Sequence, residues 1–215
     1  KEDLLKTVES LVPKSGTIIY TRQSEPLGLG HAVWCARDVV GDEPFAVLLA
    51  DDLIKSEVPV LYQMINEFDR LRASMVATIK VPKDETNRYG ILDAEPAFNG
   101  TVRIKSMVEK PDPEVAPSNL AAIGRYIFTP RIFDFLGRHE KGAGGEIQLT
   151  DAMVKLLEEQ PIFGYSFKGT RFDCGDKAGF QMANLAFGLE HPEIRDSLRE
   201  YITKVIAENS NQDEG

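Results

Sequence analysis

The sequence feature that most constrains the fold is an uninterrupted apolar run at residues 45–50 that ends in two adjacent acids, Asp51 and Asp52. A strand without polar alternation is typical of a parallel sheet whose two faces are covered by helices. In such sheets, ligands bind beyond the C-terminal ends of the strands. A carboxylate at that edge can hold a divalent cation against phosphate oxygens, or it can cap the next turn. The run alone leaves both interpretations open.

The composition indicates one large domain with no general affinity for polyanions. With 215 residues, 42% of them hydrophobic, the chain can bury a substantial core, so we predict a single domain over residues 1–215. The net charge of −9 argues against binding to nucleic acid or to anionic membranes. Cys35 and Cys174 have no metal-ligand spacing, and we expect both to be reduced in a cytoplasmic protein.

The first part of the chain alternates predicted strands and helices. We predict strands at residues 17–21, 45–50 and 74–81, with helices at residues 32–40 and 58–71 between them. This order indicates right-handed βαβ units and a parallel sheet. The loop before the first of these helices contains glycines, which let a ligand approach the backbone closely. It matches neither the dinucleotide-binding fingerprint nor the P-loop.

The pattern then changes to alternating polar and apolar residues. Residues 87–93 and 101–108 alternate around Asn99-Gly100, and Asn-Gly between such runs predicts a β-hairpin. Further along, the segment Phe172-Asp173-Cys174-Gly175 repeats the pattern of an acid directly after an apolar residue. The remaining predicted elements are strands at 119–128 and 161–167 and helices at 132–136, 152–159, 180–189 and 194–206.

Several short segments occur in an order that resembles a known family. They are Gln23, Pro26-Leu27-Gly28-Leu29-Gly30-His31-Ala32, Leu49-Ala50-Asp51-Asp52, Tyr89-Gly90, Val108-Glu109-Lys110-Pro111, Gly145-Glu146-Ile147-Gln148-Leu149-Thr150-Asp151 and Phe172-Asp173-Cys174-Gly175-Asp176-Lys177. Together they are similar to the motifs of the bacterial UTP–glucose-1-phosphate uridylyltransferases, which are sugar nucleotidyltransferases. The resemblance runs from about Tyr20 to the last helices.

The resemblance implies a fold and a reaction. The fold is a Rossmann-like α/β nucleotidyltransferase fold, in which a mixed, mostly parallel sheet is flanked by helices and a small β-hairpin helps to bind the sugar. The reaction makes UDP-glucose and pyrophosphate from UTP and glucose 1-phosphate. The sugar phosphate attacks the α-phosphate directly in a Mg²⁺-dependent step. Such a transfer needs positioning and charge neutralisation rather than a protein nucleophile. The resemblance also leads us to expect a homo-oligomer.

The resemblance implies roles for residues of the nucleotide and metal sites. Gln23 and the backbone of Gly28 would bind the uracil edge. Asp51 and Asp173 would hold the Mg²⁺ between them, and Asp51 is thereby a catalytic residue. Asp52 would instead cap a turn or support the site.

The same resemblance implies a sugar site. The backbone of Gly90 would lie near the sugar, Glu109 would accept hydrogen bonds from glucose hydroxyls, and Lys110 would contact the sugar phosphate as a second catalytic residue. Glu146 and Thr150 would lie more loosely beside this sugar pocket.

In one respect the sequence departs from the family pattern. The family begins with a strand and a glycine-rich loop that grips the triphosphate, and residues 1–215 contain neither. If residues 1–215 are the complete polypeptide, we expect it to be inactive or nearly so; the alternative is that the protein has a further N-terminal segment. We expect residues 190–215 to form a C-terminal helix and a mobile tail. A related enzyme for dTTP or another sugar, and a noncatalytic binding or regulatory protein on the same scaffold, are the alternatives. A glycosyltransferase typically has acids spaced Asp-x-Asp here. Leu53 occupies the third position of this segment, which argues against a glycosyltransferase.

Overall fold

A computed structural model describes residues 2–12, 14, 16–98 and 100–210, which form a mixed β-sheet with helices on both faces and a separate two-stranded sheet. The strands are β1 Phe45–Leu48, β2 Asp52–Lys55, β3 Ser74–Lys80, β4 Gly90–Pro96, β5 Thr101–Glu109, β6 Leu120–Phe128, β7 Ile162–Ser166 and β8 Thr170–Asp173. The helices are α1 Glu2–Leu11, α2 Leu29–Trp34, α3 Arg37–Val40, α4 Val60–Leu71, α5 Ile132–Leu136, α6 Leu149–Leu157, α7 Lys177–Gly188 and α8 Arg195–Ser210. No helix among these described residues is long and apolar enough to cross a membrane.

The centre of the sheet is β3, whose first five residues are buried. Successive side chains of a strand point to opposite faces, so Met75 and Ala77 pack in one apolar cluster while Val76 packs in the other. The first cluster contains Met64 of α4, and the second contains residues of α5 and α6 such as Leu136. The predicted α/β architecture, with helices covering both faces of the sheet, is confirmed.

The strands of the six-stranded sheet lie in the order β1-β6-β3-β7-β5-β4. Parallel pairing does not predominate among the described strands, because β3 and β7 pair parallel while the other neighbours pair antiparallel. The strand–helix–strand pattern correctly predicts that β1 and β3 run in the same direction. It does not predict adjacency, and antiparallel β6 lies between them.

Two of the predicted strands differ in the structure. The apolar run at 45–50 forms β1 only as far as Leu48, and it lies at the edge of the sheet with Leu48 half exposed. The prediction that both of its faces are buried is wrong. Residues 17–21 belong to no described strand or helix, and Tyr20 is 90% exposed. A strand needs a partner as well as apolar side chains, and the local sequence does not supply one.

The predicted hairpin is present as β4 and β5, which pair antiparallel with Gly90 opposite Glu109. Of the predicted turn, Gly100 has a positive φ of 76°, and Asn99 lies outside the described residues, as do residues 211–215 of the predicted tail. The hairpin joins the main sheet through β7 and, at Ile91, through β6. Both cysteines are free, as expected.

The two-stranded sheet positions the acids that follow the apolar runs. Strand β2 begins directly after Asp51 and pairs antiparallel with β8, so that Asp52 lies opposite Asp173. Segments from distant parts of the chain therefore meet at one edge of the molecule.

Candidate active site

Asp51 and Asp173 converge on one small space beside Gly175. The Cys174 N–H donates a hydrogen bond of 2.7 Å to the backbone oxygen of Asp51, and the Gly175 N–H donates one of 3.2 Å to Asp173 Oδ1. A Cβ atom added to Gly175 would lie 3.2 Å from Asp51 Oδ2 and 3.2 Å from Asp173 Oδ1. The glycine therefore keeps open the space that both carboxylates face.

The chemistry of this pair fits a hard divalent cation. Mg²⁺ prefers oxygen ligands and commonly uses one or two carboxylates, with water and substrate phosphates in its other positions. No group of three or more His, Cys, Asp or Glu side chains that could hold a metal ion occurs in residues 2–12, 14, 16–98 and 100–210. A two-carboxylate site that is completed by phosphate suits this arrangement.

Two arginines flank the Asp173 carboxylate. Arg88 Nη2 lies 3.5 Å and Arg171 Nη2 lies 3.4 Å from Asp173 Oδ2. Burial alone would lower the pKa of Arg171, but Asp52 and a hydrogen bond to Tyr89 hold that pKa above its ordinary value. Two guanidinium groups therefore lie beside the acid pair and offset part of its negative charge.

Asp52 has a different role from its neighbour. It is 5% exposed, whereas Asp51 is exposed. The Gly124 N–H donates to Asp52 Oδ2 at 2.5 Å, and Arg171 Nε donates to Asp52 Oδ1. Asp52 thus connects β2 to β6 and β8, which agrees with the supporting role expected for it, and Asp51 is left to face the solvent.

A cleft of about 220 Å³ joins the acid pair to the expected sugar site. Of the residues singled out from the sequence, it brings together Asp51, Gly90, Glu109, Thr150 and Asp173. Asp52, which was expected to support the site, also lines this cleft. The lining side chains that sequence reasoning did not assign to the site include Arg88, Tyr89, Tyr126, Gln148 and Arg171.

Gly90, Glu109 and Thr150 form one end of the cleft. The Thr150 hydroxyl donates a 2.6 Å hydrogen bond to Glu109 Oε2, which fixes the carboxylate. A Cβ atom at Gly90 would lie 3.2 Å from Thr150 Oγ1 and 3.3 Å from Glu109 Oε2. Glycine therefore leaves room beside a carboxylate whose other oxygen can accept hydrogen bonds from a ligand hydroxyl.

Lys110 lies at the rim of this end rather than in its lining. Its φ is 47°, in the left-handed region, and its N–H donates to the Tyr89 backbone oxygen at 2.9 Å where β5 ends. Its side chain is 59% exposed, and its Nζ lies 3.9 Å from Glu109 Oε1. The ammonium group is close to the site and is held only weakly.

Gln23 and Gly28 lie in the loop before α2. Gly28 has a φ of 101°, and a Cβ atom there would lie 2.8 Å from Glu146 Cβ and 2.9 Å from the Ile147 backbone oxygen. Gln23 Nε2 donates to the Gly28 backbone oxygen at 3.0 Å. The next residue, Leu29, lines the cleft, so this loop borders it.

Glu146 lies beside Gly28 and is exposed. Its Oε2 accepts a 3.3 Å hydrogen bond from Gln148 Nε2. Of the two residues expected more loosely near the sugar, the structure therefore groups Thr150 with Glu109 and Glu146 with the loop of Gly28.

The additional cleft residues differ in the signal that their sequence context gave. Tyr89 precedes Gly90, and Arg171 precedes the segment that contains Asp173. Gly90 and Asp173 were both predicted to lie in the site, so the sequence context of Tyr89 and Arg171 pointed to it. Tyr126 lies inside a buried strand and gives no local signal. Burial, together with the Asp52 and Glu109 carboxylates, raises the pKa of the Tyr126 hydroxyl and keeps it protonated.

Comparison with known proteins shows close relatives over most of the chain. The family model described as nucleotidyl transferase matches residues 5–187. The UTP–glucose-1-phosphate uridylyltransferase of Bacillus subtilis is 49% identical over 198 residues, which are 92% of this chain and 68% of that protein. The protein of the same name from Streptococcus pyogenes is 43% identical over 210 residues, covering 95% of this chain and 68% of that protein.

Solved structures agree with these relatives. A UDP-glucose pyrophosphorylase in complex with UDP-glucose superposes with a TM-score of 0.82 at 42% identity, covering 88% of this chain and 72% of that one. The UTP-bound enzyme from Acinetobacter baumannii gives a TM-score of 0.83 at 37% identity, covering 94% of this chain and 70% of that one.

Proposed function

Because the chain belongs to the nucleotidyl transferase family, with UTP–glucose-1-phosphate uridylyltransferases among its relatives, we propose that it makes UDP-glucose and pyrophosphate from UTP and glucose 1-phosphate. The observation that carries this proposal is the convergence of Asp51 and Asp173 in one cleft with Gly90, Glu109 and Thr150. One part of the cleft suits a cation and phosphates, and the other suits a sugar.

The reaction is an in-line displacement at the α-phosphorus of UTP. An oxygen of the sugar phosphate forms a bond to that phosphorus, and the bond to the β-phosphate oxygen breaks and releases pyrophosphate. The attacking phosphate is already an anion, so no side chain has to remove a proton from it. The protein must position the two substrates and offset their negative charges.

Asp51 and Asp173 would hold a Mg²⁺ ion against the nucleotide phosphates. The bound ion would supply a positive charge that orients these phosphates and stabilises charge developing on their oxygens. Asp173 is fixed for this task by the Gly175 N–H and by Arg88 and Arg171. The two arginines also reduce the electrostatic repulsion between the acid pair and an anionic substrate.

Glu109 and Lys110 would orient glucose 1-phosphate. Thr150 holds Glu109 Oε2, so Glu109 Oε1 faces the hydroxyls with only a weak contact to the Lys110 ammonium. Lys110 can then move toward the sugar phosphate, because a flexible stem carries its charge and no described contact shorter than 3.9 Å holds its Nζ.

The proposed function is tested in the full-length protein by pyrophosphate release from UTP and glucose 1-phosphate with Mg²⁺ present. Asp51→Asn should lower the rate about 100-fold or more, on the scale of other electrostatic catalytic groups. Asp42→Asn, which changes an exposed acid outside the cleft in the same way, should leave the rate unchanged. Full activity of the Asp51 variant would contradict the metal assignment.

Substrate choice is tested by the same assay with other nucleotides. A preference for dTTP over UTP would favour the related thymidylyl transfer instead. Tight binding of UTP without any release of pyrophosphate, in the presence of glucose 1-phosphate and Mg²⁺, would favour a noncatalytic binding protein.

A further inference from the structure

The inner end of the cleft contains a tyrosine to which the proposed reaction gives no role. Tyr126 lies on β6 opposite Val47 of β1 and Val76 of β3, and its ring stacks on Phe128 with ring centroids 5.4 Å apart. The residue is 8% exposed and belongs to an apolar core cluster, yet it also lines the cleft. The ring is therefore held in the core while part of the side chain reaches the cleft.

The Tyr126 hydroxyl has no hydrogen-bond partner within residues 2–12, 14, 16–98 and 100–210. In the same part of the chain, every side-chain nitrogen or oxygen that is closed off from solvent does have a partner. The Tyr126 oxygen is therefore open, and the space that this residue lines is the cleft. A polar group at this depth that makes no hydrogen bond is costly until something that enters the cleft completes it.

Two other donors in the cleft are already engaged. The Thr150 hydroxyl donates to Glu109, and Arg171 donates to Asp52 and to the Tyr89 hydroxyl. The ionised carboxylates of Glu109 and Asp52 can only accept hydrogen bonds. A sugar hydroxyl both donates and accepts, so a site that offers it carboxylates also needs a donor.

We propose that Tyr126 is a specificity-determining residue of the sugar site, whose hydroxyl forms a hydrogen bond with a hydroxyl of the bound glucose. The Tyr126 hydroxyl gains its partner when a sugar with a hydroxyl in that place is bound. An analogue that lacks this hydroxyl is rejected, because the buried group of the protein is then left unpaired. The inference rests on the proposed function, because it takes the cleft to bind glucose.

The surroundings of the Tyr126 hydroxyl prepare it for this contact. Burial raises its pKa, and the carboxylates of Asp52 and Glu109 raise that pKa further, so the hydroxyl retains the proton that it can donate. The stacking on Phe128 fixes the ring within the core. Little side-chain freedom is therefore lost when the hydroxyl meets a ligand, and this favours affinity.

Calorimetric titration of the full-length protein with UDP-glucose and with UDP separates a sugar contact from a general effect on the cleft. Tyr126→Phe removes one oxygen and keeps the ring. Its affinity for UDP-glucose should be roughly 10-fold lower than that of the wild type, the effect of losing one hydrogen bond to a buried group. Its affinity for UDP, which lacks the glucose, should equal that of the wild type. The melting temperature at neutral pH should not fall, because the hydroxyl bonds to no described residue.

Analogues of UDP-glucose that each lack one glucose hydroxyl identify the contact. One analogue should bind the wild type roughly 10-fold more weakly than UDP-glucose does, because it lacks the partner of Tyr126. This analogue should bind the wild type and Tyr126→Phe equally, since the hydrogen bond is already absent. The other analogues should still distinguish the two proteins.

Tyr165→Phe is the matched control. Tyr165 also lies on a strand of the six-stranded sheet, β7, and its hydroxyl likewise bonds to no residue that the structure describes, but it does not line the cleft. This variant should bind UDP-glucose, UDP and each analogue as the wild type does.

The outcomes distinguish the two proposals. If Tyr126→Phe binds UDP-glucose as tightly as the wild type, or if it loses the same factor of affinity for UDP and for UDP-glucose, the role of Tyr126 is refuted while the proposed function stands. An equal loss for UDP-glucose and for every analogue would refute it as well. If the wild-type protein does not bind UDP-glucose, the proposed function fails, and this inference fails with it.

Discussion

The neighbouring residues Asp51 and Asp52 have different environments at the sheet edge, one open to a ligand and the other buried. Asp52 is buried and bonded to Gly124 and Arg171, whereas Asp51 faces the space beside Gly175. A buried carboxylate needs such partners, because leaving it unpaired costs several kcal/mol. The burial of Asp52 therefore depends on its contacts with Gly124 and Arg171.

The ion pair between Arg171 and Asp52 predicts a large loss of stability when Arg171 is replaced by a neutral residue. Arg171→Gln should lower the free energy of unfolding by about 3 kcal/mol, because it leaves a buried carboxylate without its charge partner. Urea denaturation measures this.

Arg131→Gln is the comparison for this prediction. Arg131 pairs with Glu159 and Asp134 on the surface, where solvent screens ion pairs, so the loss should be much smaller. Equal losses in the two variants would contradict the assigned role of Asp52.

Gly175 offers a second test at the scale of single residues. Gly175→Ala would place a Cβ atom 3.2 Å from both Asp51 Oδ2 and Asp173 Oδ1. One of the carboxylates must then move, and the Mg²⁺ concentration needed for half-maximal activity should rise on the order of 10-fold. Activity measured over a series of Mg²⁺ concentrations gives this value, and an unchanged midpoint would argue against a cation at this place.

At the scale of elements, α7 begins close behind the acid segment. The Asp176 side chain caps the helix by accepting hydrogen bonds from the backbone N–H groups of Ala178 and Gly179, both at 3.0 Å. The N-cap residue Asp176, which lies three residues after Asp173, therefore fixes where α7 begins. Capping of this helix helps to define the turn that presents the carboxylate.

Removal of this cap should be measurable in the whole protein. Asp176→Ala should lower the free energy of unfolding by about 1 kcal/mol, whereas Asp176→Asn, which can still accept both hydrogen bonds, should cost only a few tenths. Urea denaturation of the two variants side by side gives both values. Equal losses would show that the hydrogen bonds do not provide the stabilisation.

Elements with strong local patterns could be predicted from the sequence. The helix at 132–136 coincides with α5, the run at 74–81 forms β3, and the alternating segments form β4 and β5. Residues 17–21 have the same apolar character as a strand, yet they form no described strand and are exposed. Pairing depends on contacts between distant segments, so neither the missing partner of this segment nor the insertion of β6 between β1 and β3 could be inferred from local sequence.

The same limit applies to the site. The segments that hold Asp51, Gly90, Glu109 and Asp173 were recognisable, and the structure brings these residues into one cleft. Gln23 Nε2 lies 2.9 Å from His31 Nδ1; this contact depends on how the loop before α2 folds, and it was not predicted. Side-chain orientation is set by packing in three dimensions rather than by spacing along the chain.

At the scale of the whole molecule, the cleft reaches into the sheet as far as Tyr126, which is 8% exposed and belongs to an apolar core cluster. Burial raises the pKa of its hydroxyl, and the carboxylates of Asp52 and Glu109 raise it further. The folded state therefore holds this proton more tightly than the unfolded chain, where tyrosine ionises near pH 10.

The sign of the pH effect follows from this difference. The stabilisation from protonated Tyr126 is fully present below about pH 10, and it is lost as the pH rises above that value, because the unfolded chain releases the proton first. Urea denaturation between about pH 8 and about pH 11 should therefore show stability falling, and Tyr126→Phe should show a shallower fall.

Tyr62→Phe is the control for this effect, since Tyr62 is 59% exposed. Its alkaline decline should match that of the wild type. A Tyr126→Phe variant with the wild-type slope would show that another group is responsible.

The pairing of β2 with β8 also determines how late in synthesis and folding Asp51 and Asp173 can come together. Arg171 and Asp52 are 119 residues apart in the sequence, and the strands of the main sheet from β3 to β7 lie between them. Contacts of such long range form slowly, because the chain must be ordered before they can stabilise it. On the ribosome, Asp51 emerges long before Asp173 has been translated. A nascent chain therefore has the first carboxylate but cannot yet have the pair, and it acquires the pair only after the sheet-forming segments have left the exit tunnel.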